Sequence, residues 1–122
     1  LESIQNQLHI VQADFANPDP DEDDPQVTAT HVDSLEDAID EAESELDPLE
    51  SFILPGGSDA GAALHHARAV TRRAERRSVA LAADEPVNDE AIRYLNRLSD
   101  GLFVLARLVN ARDGVPEESP TY

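Results

Sequence analysis

A short apolar run stopped by proline and two glycines, Phe52-Ile53-Leu54-Pro55-Gly56-Gly57, opens into a long segment with no helix breaker except Gly61. This stretch, Ser51 to Arg77, constrains the chain more than any other. With Ser58 or Asp59 as the N-cap, it predicts a helix from about Ser58 to Ala83. Charge chemistry is concentrated there: His65, Arg68, Arg72, Arg73, Arg76 and Arg77, with Glu75 among them. At about 100° per residue, Gly61, Arg68, Arg72, Glu75 and Val79 fall within about 60° of one another. Ala60, Ala63, Ala67, Val70, Ala74 and Leu81 form a neighbouring stripe of mostly small residues, suited to close helix packing. Arg68, Arg72 and Glu75 are therefore expected to flank the packed seam, while His66, Arg73, Arg76 and Arg77 point away. A guanidinium beside a core is costly unless it meets an anion. That anion is either a protein carboxylate, giving interhelical salt bridges with Glu75 as one partner, or a bound ligand.

Around this stretch the chain reads as further helices. Leu1, Ile4, Leu8, Val11 and Phe15 recur at three- and four-residue steps, predicting a helix over 1–16. It begins without a capping residue, so the natural chain is expected to extend upstream. Residues 17–30, with three prolines and a dense acid run, are expected to form a mobile loop. Asp33 or Ser34 is the expected cap of a second helix, with Leu35, Ala38, Ile39, Ala42 and Leu46 on its apolar face and an end near Asp47, before Pro48. After a turn at 84–87, Asn88 or Asp89 caps a last helix to about Asn110. On it Leu95, Leu98, Leu102, Leu105, Ala106 and Val109 face the core, and Asn96, Asp100, Phe103 and Arg107 share an adjacent strip. Residues 113–122 read as a flexible tail. The expectation is one all-α domain over 1–122, an antiparallel helical bundle.

Charge and composition remove several function classes. The 122 residues carry 26 acids against nine basic residues, all of them Arg, for a net charge of −17. From Asp14 to Glu50 there are 15 acids and no Arg or Lys. A nucleic-acid partner needs a basic surface, so RRAERR at 72–77 is poor evidence for one. Acids spread along the chain fit a surface adapted to high intracellular salt, a halophilic trait, better than an acidic tail. With no cysteine, disulfides, thiolate nucleophiles and thiolate metal sites are absent. No run reaches membrane-spanning length and no secretory signal is readable, so a cytoplasmic protein is the default. His65 and His66 diverge by about 100° and are poorly placed to chelate one ion, and His9 and His31 lack ligand-spaced partners. No metal ligand is assigned, and Gly56-Gly57 lacks the phosphate-loop pattern.

FILPGG, then LHHARAVTRRAERR, then YLNRLSDGLFVLARLVN resemble, in that order, motifs of the PduO-type ATP:corrinoid adenosyltransferases. The opening LESIQNQLHIVQADFANP is also similar to the end of that family's second bundle helix. The resemblance implies a five-helix bundle, four helices of which are readable here, assembled as a homotrimer with active sites between subunits. It also implies transfer of the 5′-adenosyl group of ATP to the cobalt of a reduced corrinoid, with triphosphate released and Mg²⁺ on the phosphates. Carried over by position, Arg72 and Asn96 are expected to contact ATP, and Arg68 to pair with an Asp of a neighbouring subunit. Glu75 is expected to orient the arginines, so that Arg68, Arg72 and Glu75 form the catalytic set. Phe52 is expected to cover the lower face of the corrin ring; its plain alternative is a core aromatic, as a helix-interior amide is for Asn96. The cobalamin, as cob(II)alamin or cob(I)alamin, is a substrate, and a corrinoid reductase or cobalamin-dependent enzyme is a further candidate partner. The family's glycine- and threonine-containing N-terminal segment, which wraps the phosphates, is not among these residues. The alternative is a non-catalytic bundle that binds a corrinoid or a protein partner.

Overall fold

The computed structural model describes residues 2–49 and 52–121. Leu1 of the first expected helix, Ser51 at the head of the central stretch and Tyr122 at the end of the tail lie outside the described residues. Among those described there are four helices and no strand: α1 (Glu2–Ala16), α2 (Ala29–Glu43), α3 (Asp59–Ala82) and α4 (Asp89–Arg112). The all-α expectation is borne out. Successive helices run antiparallel. Gln7 and Asp14 of α1 meet Tyr94 and Asn88 at the start of α4. Glu36 and Ile39 of α2 meet Arg97 and Gly101 in ascending order, whereas Gly61 and Glu75 of α3 meet Asn110 and Asn96 in descending order.

The packing centre is α4 rather than α3. Half of the 24 residues of α4 are buried, against only Gly61 and His65 in α3. The cause is composition: α4 carries leucines, valines and Tyr94 around a wide arc, whereas the apolar residues of α3 are mainly alanines that bury little area. Leu95, Leu98, Leu102 and Ala106 face the core as expected, with Tyr94 at 0% exposure and Leu98 at 2%. Gly101 brings α2 close, since a Cβ there would lie 2.9 Å from Ile39 Cγ1. No helix among the described residues is long and apolar enough to cross a membrane.

Three sequence expectations are corrected. The small-residue stripe of α3 is not its packed face: Ala60, Ala63, Val70 and Leu81 are exposed, and only Ala67 and Ala74 are half-buried. The seam lies instead along Gly61, Leu64, His65, Arg68, Thr71 and Glu75, because α4 presents large side chains there that alanines alone could not enclose. On α1 and α2, Leu8 and Ala38 are exposed. The second helix starts at Ala29 and not at the Asp33-Ser34 box, because His31 does the work of a capping Glu: the Thr28 backbone N–H donates to His31 Nδ1 at 3.0 Å. It ends at Glu43, short of Asp47.

The connections carry defined hydrogen bonds. Val27 is 3% exposed, and its N–H donates to the buried Asp14 carboxylate at 2.7 Å. Asn88 Nδ2 donates to the same Asp14 oxygen at 2.7 Å and to the Val27 carbonyl at 2.8 Å. One carboxylate thus ties the end of α1, the acidic loop and the cap of α4 together. In the tail, Arg107 Nε donates to Glu117 at 2.7 Å, and the Leu54 N–H to the Glu118 carbonyl at 2.7 Å.

Candidate functional site on the α3–α4 seam

Helices α3 and α4 meet at steps of two helical turns, which places Gly61, Arg68 and Glu75 opposite Asn110, Phe103 and Asn96. Caps fix this register. Ser58 caps α3 by accepting from the Gly61 N–H at 3.1 Å, and Asn88 caps α4 by accepting from the Glu90 N–H at 3.0 Å. Each cap is one of the two residues the sequence offered for it.

At the first step Asn96 Nδ2 donates to Glu75 Oε2 at 2.8 Å. The Glu75 carboxylate, expected to orient the arginines, is occupied by this amide instead. Asn96 itself is exposed, with its side chain at the mouth of the seam. At the second step the Arg68 guanidinium carbon stands 5.0 Å from the Phe103 ring centroid, a cation–π contact of about 0.5–1 kcal/mol at a partly exposed site. His65 meets the same ring edge-on at 5.8 Å and 66°. Burial, reinforced by Arg68, pushes the His65 pKa below its ordinary 6.5 against a weaker opposite pull from Glu117. His65 is therefore neutral near pH 7 and leaves the positive charge to the arginines.

Arg72, one turn beyond Arg68, is exposed. Among the described residues neither arginine pairs with a carboxylate, so the salt bridge to Glu75 does not form. Two guanidiniums on one helix face are thus left without a carboxylate partner among the described residues, although Glu75 shares that face. Phe52 is 83% exposed in the loop leading to α3, so it is not a core aromatic of this chain. Arg107, expected beside Asn96 and Phe103, turns inward: it is 6% exposed, and its guanidinium also donates to the Asp47 carbonyl at 2.9 Å. Asp100 pairs with Arg97 at 2.8 Å on the surface.

At the third step Asn110 anchors the Phe52 loop to α4. A cavity of about 210 Å³ lies beside it, lined by Leu54, Pro55, His65, Arg107 and Glu117 among others. A second cavity, about 320 Å³, sits at the opposite end near Asp14 and Glu85, whose carboxylates disfavour an anionic ligand. No group of three or more His, Asp or Glu side chains among the described residues could hold a metal ion.

Of the residues the sequence assigned to the site, Arg68, Glu75 and Asn96 come together on the seam, whereas Arg72 and Phe52 lie exposed at its margins. Sequence reasoning assigned no role to His65 or Phe103 and missed Asn110. The available signal was the two-turn spacing Asn96–Phe103–Asn110, which mirrors Glu75–Arg68–Gly61.

Known proteins resemble this chain in sequence and in fold. A corrinoid adenosyltransferase of Bacillus subtilis (strain 168) is 46% identical over 115 residues, covering 94% of this chain and 59% of the relative. The corrinoid adenosyltransferase PduO of Salmonella typhimurium is 46% identical over 110 residues, covering 88% of this chain and 32% of the relative. The chain thus spans well under two thirds of these relatives. Among solved structures, a phenylalanine-to-alanine variant of the PduO-type ATP:corrinoid adenosyltransferase from Lactobacillus reuteri, complexed with cobalamin and ATP, superposes with a TM-score of 0.90 at 35% identity. That match covers 99% of this chain and 68% of that one. An arginine-to-lysine variant of the Lactobacillus reuteri enzyme, complexed with ATP, superposes at 0.88 with 34% identity, covering 98% of this chain and 68% of that one. The cobalamin adenosyltransferase family model matches residues 1–109, and with relatives at 46% identity and solved structures of the same fold, the chain belongs to the cobalamin adenosyltransferase family.

Proposed function

We propose that the full-length protein transfers the 5′-adenosyl group of ATP to the cobalt of a reduced corrinoid. In the step itself the cobalt(I) electron pair attacks C5′ and the C5′–O bond breaks. Its electrons leave with triphosphate. Arg72 grips the phosphate oxygens with its planar, permanently charged fork. Asn96 contacts the nucleotide, and Glu75 positions it by holding its amide. Arg68, stacked on Phe103, pairs with an Asp of a neighbouring subunit in a homotrimer. Phe52 covers the lower face of the corrin and keeps off an axial donor, which raises the cobalt(II)/cobalt(I) potential and makes cobalt(I) reachable. Mg²⁺, which in ATP-using sites is held largely by substrate phosphates, is assigned to the nucleotide. A corrinoid reductase or a cobalamin-dependent enzyme is the natural protein partner, and both substrates fit a cytoplasmic location.

One observation carries this reading: two guanidiniums on one face of α3 have no carboxylate partner among the described residues, and Glu75 on that same face holds the amide of Asn96. The relatives' names and the cobalamin and ATP in the similar structures support it.

The test is turnover by the full-length protein in high salt with reduced cobalamin and ATP. Adenosylcobalamin and triphosphate should form in equal amounts, from a species with three times the monomer mass. Corrinoid binding without transfer would instead favour a non-catalytic module. In the same assay Phe52→Ala should lose about tenfold or more when started from cobalt(II), and much less from pre-reduced cobalt(I). Equal losses from the two starting states would reduce Phe52 to a packing residue.

A further inference from the structure

We infer that Asn110 is a positioning residue that fixes the Phe52 loop, and through it the face that Phe52 presents to the corrin. The inference rests on the reading of Phe52 given above and adds a residue at the far end of α4.

Asn110 is 7% exposed, and every polar atom of its side chain is committed to the loop. Its Oδ1 accepts from the Ser58 N–H at 3.0 Å and from the Ser58 hydroxyl at 3.0 Å. Its Nδ2 donates to the Gly56 carbonyl at 2.8 Å. The Ser58 hydroxyl meanwhile accepts the Gly61 N–H, so one side chain completes the cap of α3 and holds the loop leading into it. Gly57 and Gly61 are required by this contact, because a Cβ on either would fall onto the Asn110 amide. Gly57 also takes φ +107°, which L side chains rarely adopt. Downstream, the Asn110 carbonyl accepts the Val115 N–H at 2.8 Å, and the tail's Glu118 carbonyl takes the Leu54 N–H at 2.7 Å. Asn110 thus joins the Phe52 loop, the start of α3 and the turn that begins the tail. A buried, fully satisfied amide is a rigid joint, because loosening it leaves several polar groups without partners. A plain apolar residue would close the bundle end as well but would not set the loop's path. The amide therefore sets position, which an aromatic cover over a metal needs and a core contact does not.

The test uses the full-length protein and two readouts. Asn110→Asp keeps the shape and the acceptors facing Ser58, but removes the N–H donated to Gly56. Hydrogen exchange over 52–58 should quicken by about tenfold or more, with the middle of α4 unchanged. Turnover started from cobalt(II) should fall by about tenfold, and from pre-reduced cobalt(I) by less than about twofold. The double variant Gly61→Ala/Asn110→Ala refills the vacated space with a methyl group. It should regain thermal stability relative to Asn110→Ala, yet keep both the fast exchange and the split between starting states. Unchanged exchange at 52–58, equal losses from the two cobalt states, or recovery of the split in the double variant would each overturn the inference. Phe52→Ala run alongside separates the two claims. If it shows no split, the role of Phe52 fails, while the exchange data still decide whether Asn110 holds the loop.

Discussion

Tyr94 is the largest side chain the fold encloses completely, and its single polar atom is spoken for: the hydroxyl donates to Gln7 Oε1 on α1. Burial disfavours the phenolate, so its pKa is pushed up to about 12 from an ordinary 10.0. A raised pKa means that the folded state holds the proton more tightly than the unfolded chain. The associated stability is complete below pH 10.0 and is lost as pH rises towards about 12. Wild type should therefore lose roughly 2–3 kcal/mol relative to Tyr94→Phe across that window. Near pH 7 the order is reversed, with Tyr94→Phe less stable by about 1 kcal/mol for want of the hydrogen bond to Gln7. Denaturant unfolding at stepped pH measures both. Parallel curves for the two proteins would show that Tyr94 is wet in solution.

At the scale of elements, α4 is the load-carrying helix and α3 is the one to which the proposed chemistry is assigned. Leu98, at 2% exposure, should cost about 2–5 kcal/mol when truncated to Ala, with the transfer and cavity terms both paid in full. Leu81→Ala on α3, at 38% exposure, should cost less than about 1 kcal/mol. Chemical denaturation midpoints decide it, and comparable losses would return the core to α3. This division explains what the sequence disclosed. The ends of α3 and α4 were legible because Ser58 and Asn88 are ordinary caps behind Pro- and Gly-containing turns. The inner face of α4 was legible because its leucines recur at helical steps. The rotation of α3 was not, because its alanines satisfy several faces equally and only the partner helix selects one. The start of α2 was hidden because a histidine, rather than Glu or Gln, closes its capping box. Arg107 and Asn110 were hidden because their partners, Glu117 and the 56–58 turn, are brought near by the fold rather than by any local pattern.

For the whole molecule, a net charge of −17 meets a helix that concentrates more than half of the chain's arginines. Between Asp59 and Asp84 there are five arginines and one acid, so α3 is a local positive strip on a strongly negative body. Such a body repels a polyphosphate at long range, and salt shortens that repulsion to about 3 Å at about 1 M, which would leave the proposed close contacts with Arg72 intact. High salt is thus compatible with ATP binding here as well as with a hydrated surface. The central claim is that the arginines on the Glu75 face of α3, rather than its general positive charge, receive the phosphates. ATP affinity of the full-length protein in high salt, compared between Arg72→Ala and Arg73→Ala, tests it most directly. Each variant removes one charge from the same helix, but Arg73 lies about 100° around from Arg72. The account predicts a loss of about 10- to 100-fold for Arg72→Ala, the worth of a charge-assisted bidentate contact, and less than about twofold for Arg73→Ala. Equal losses in the two variants would contradict it.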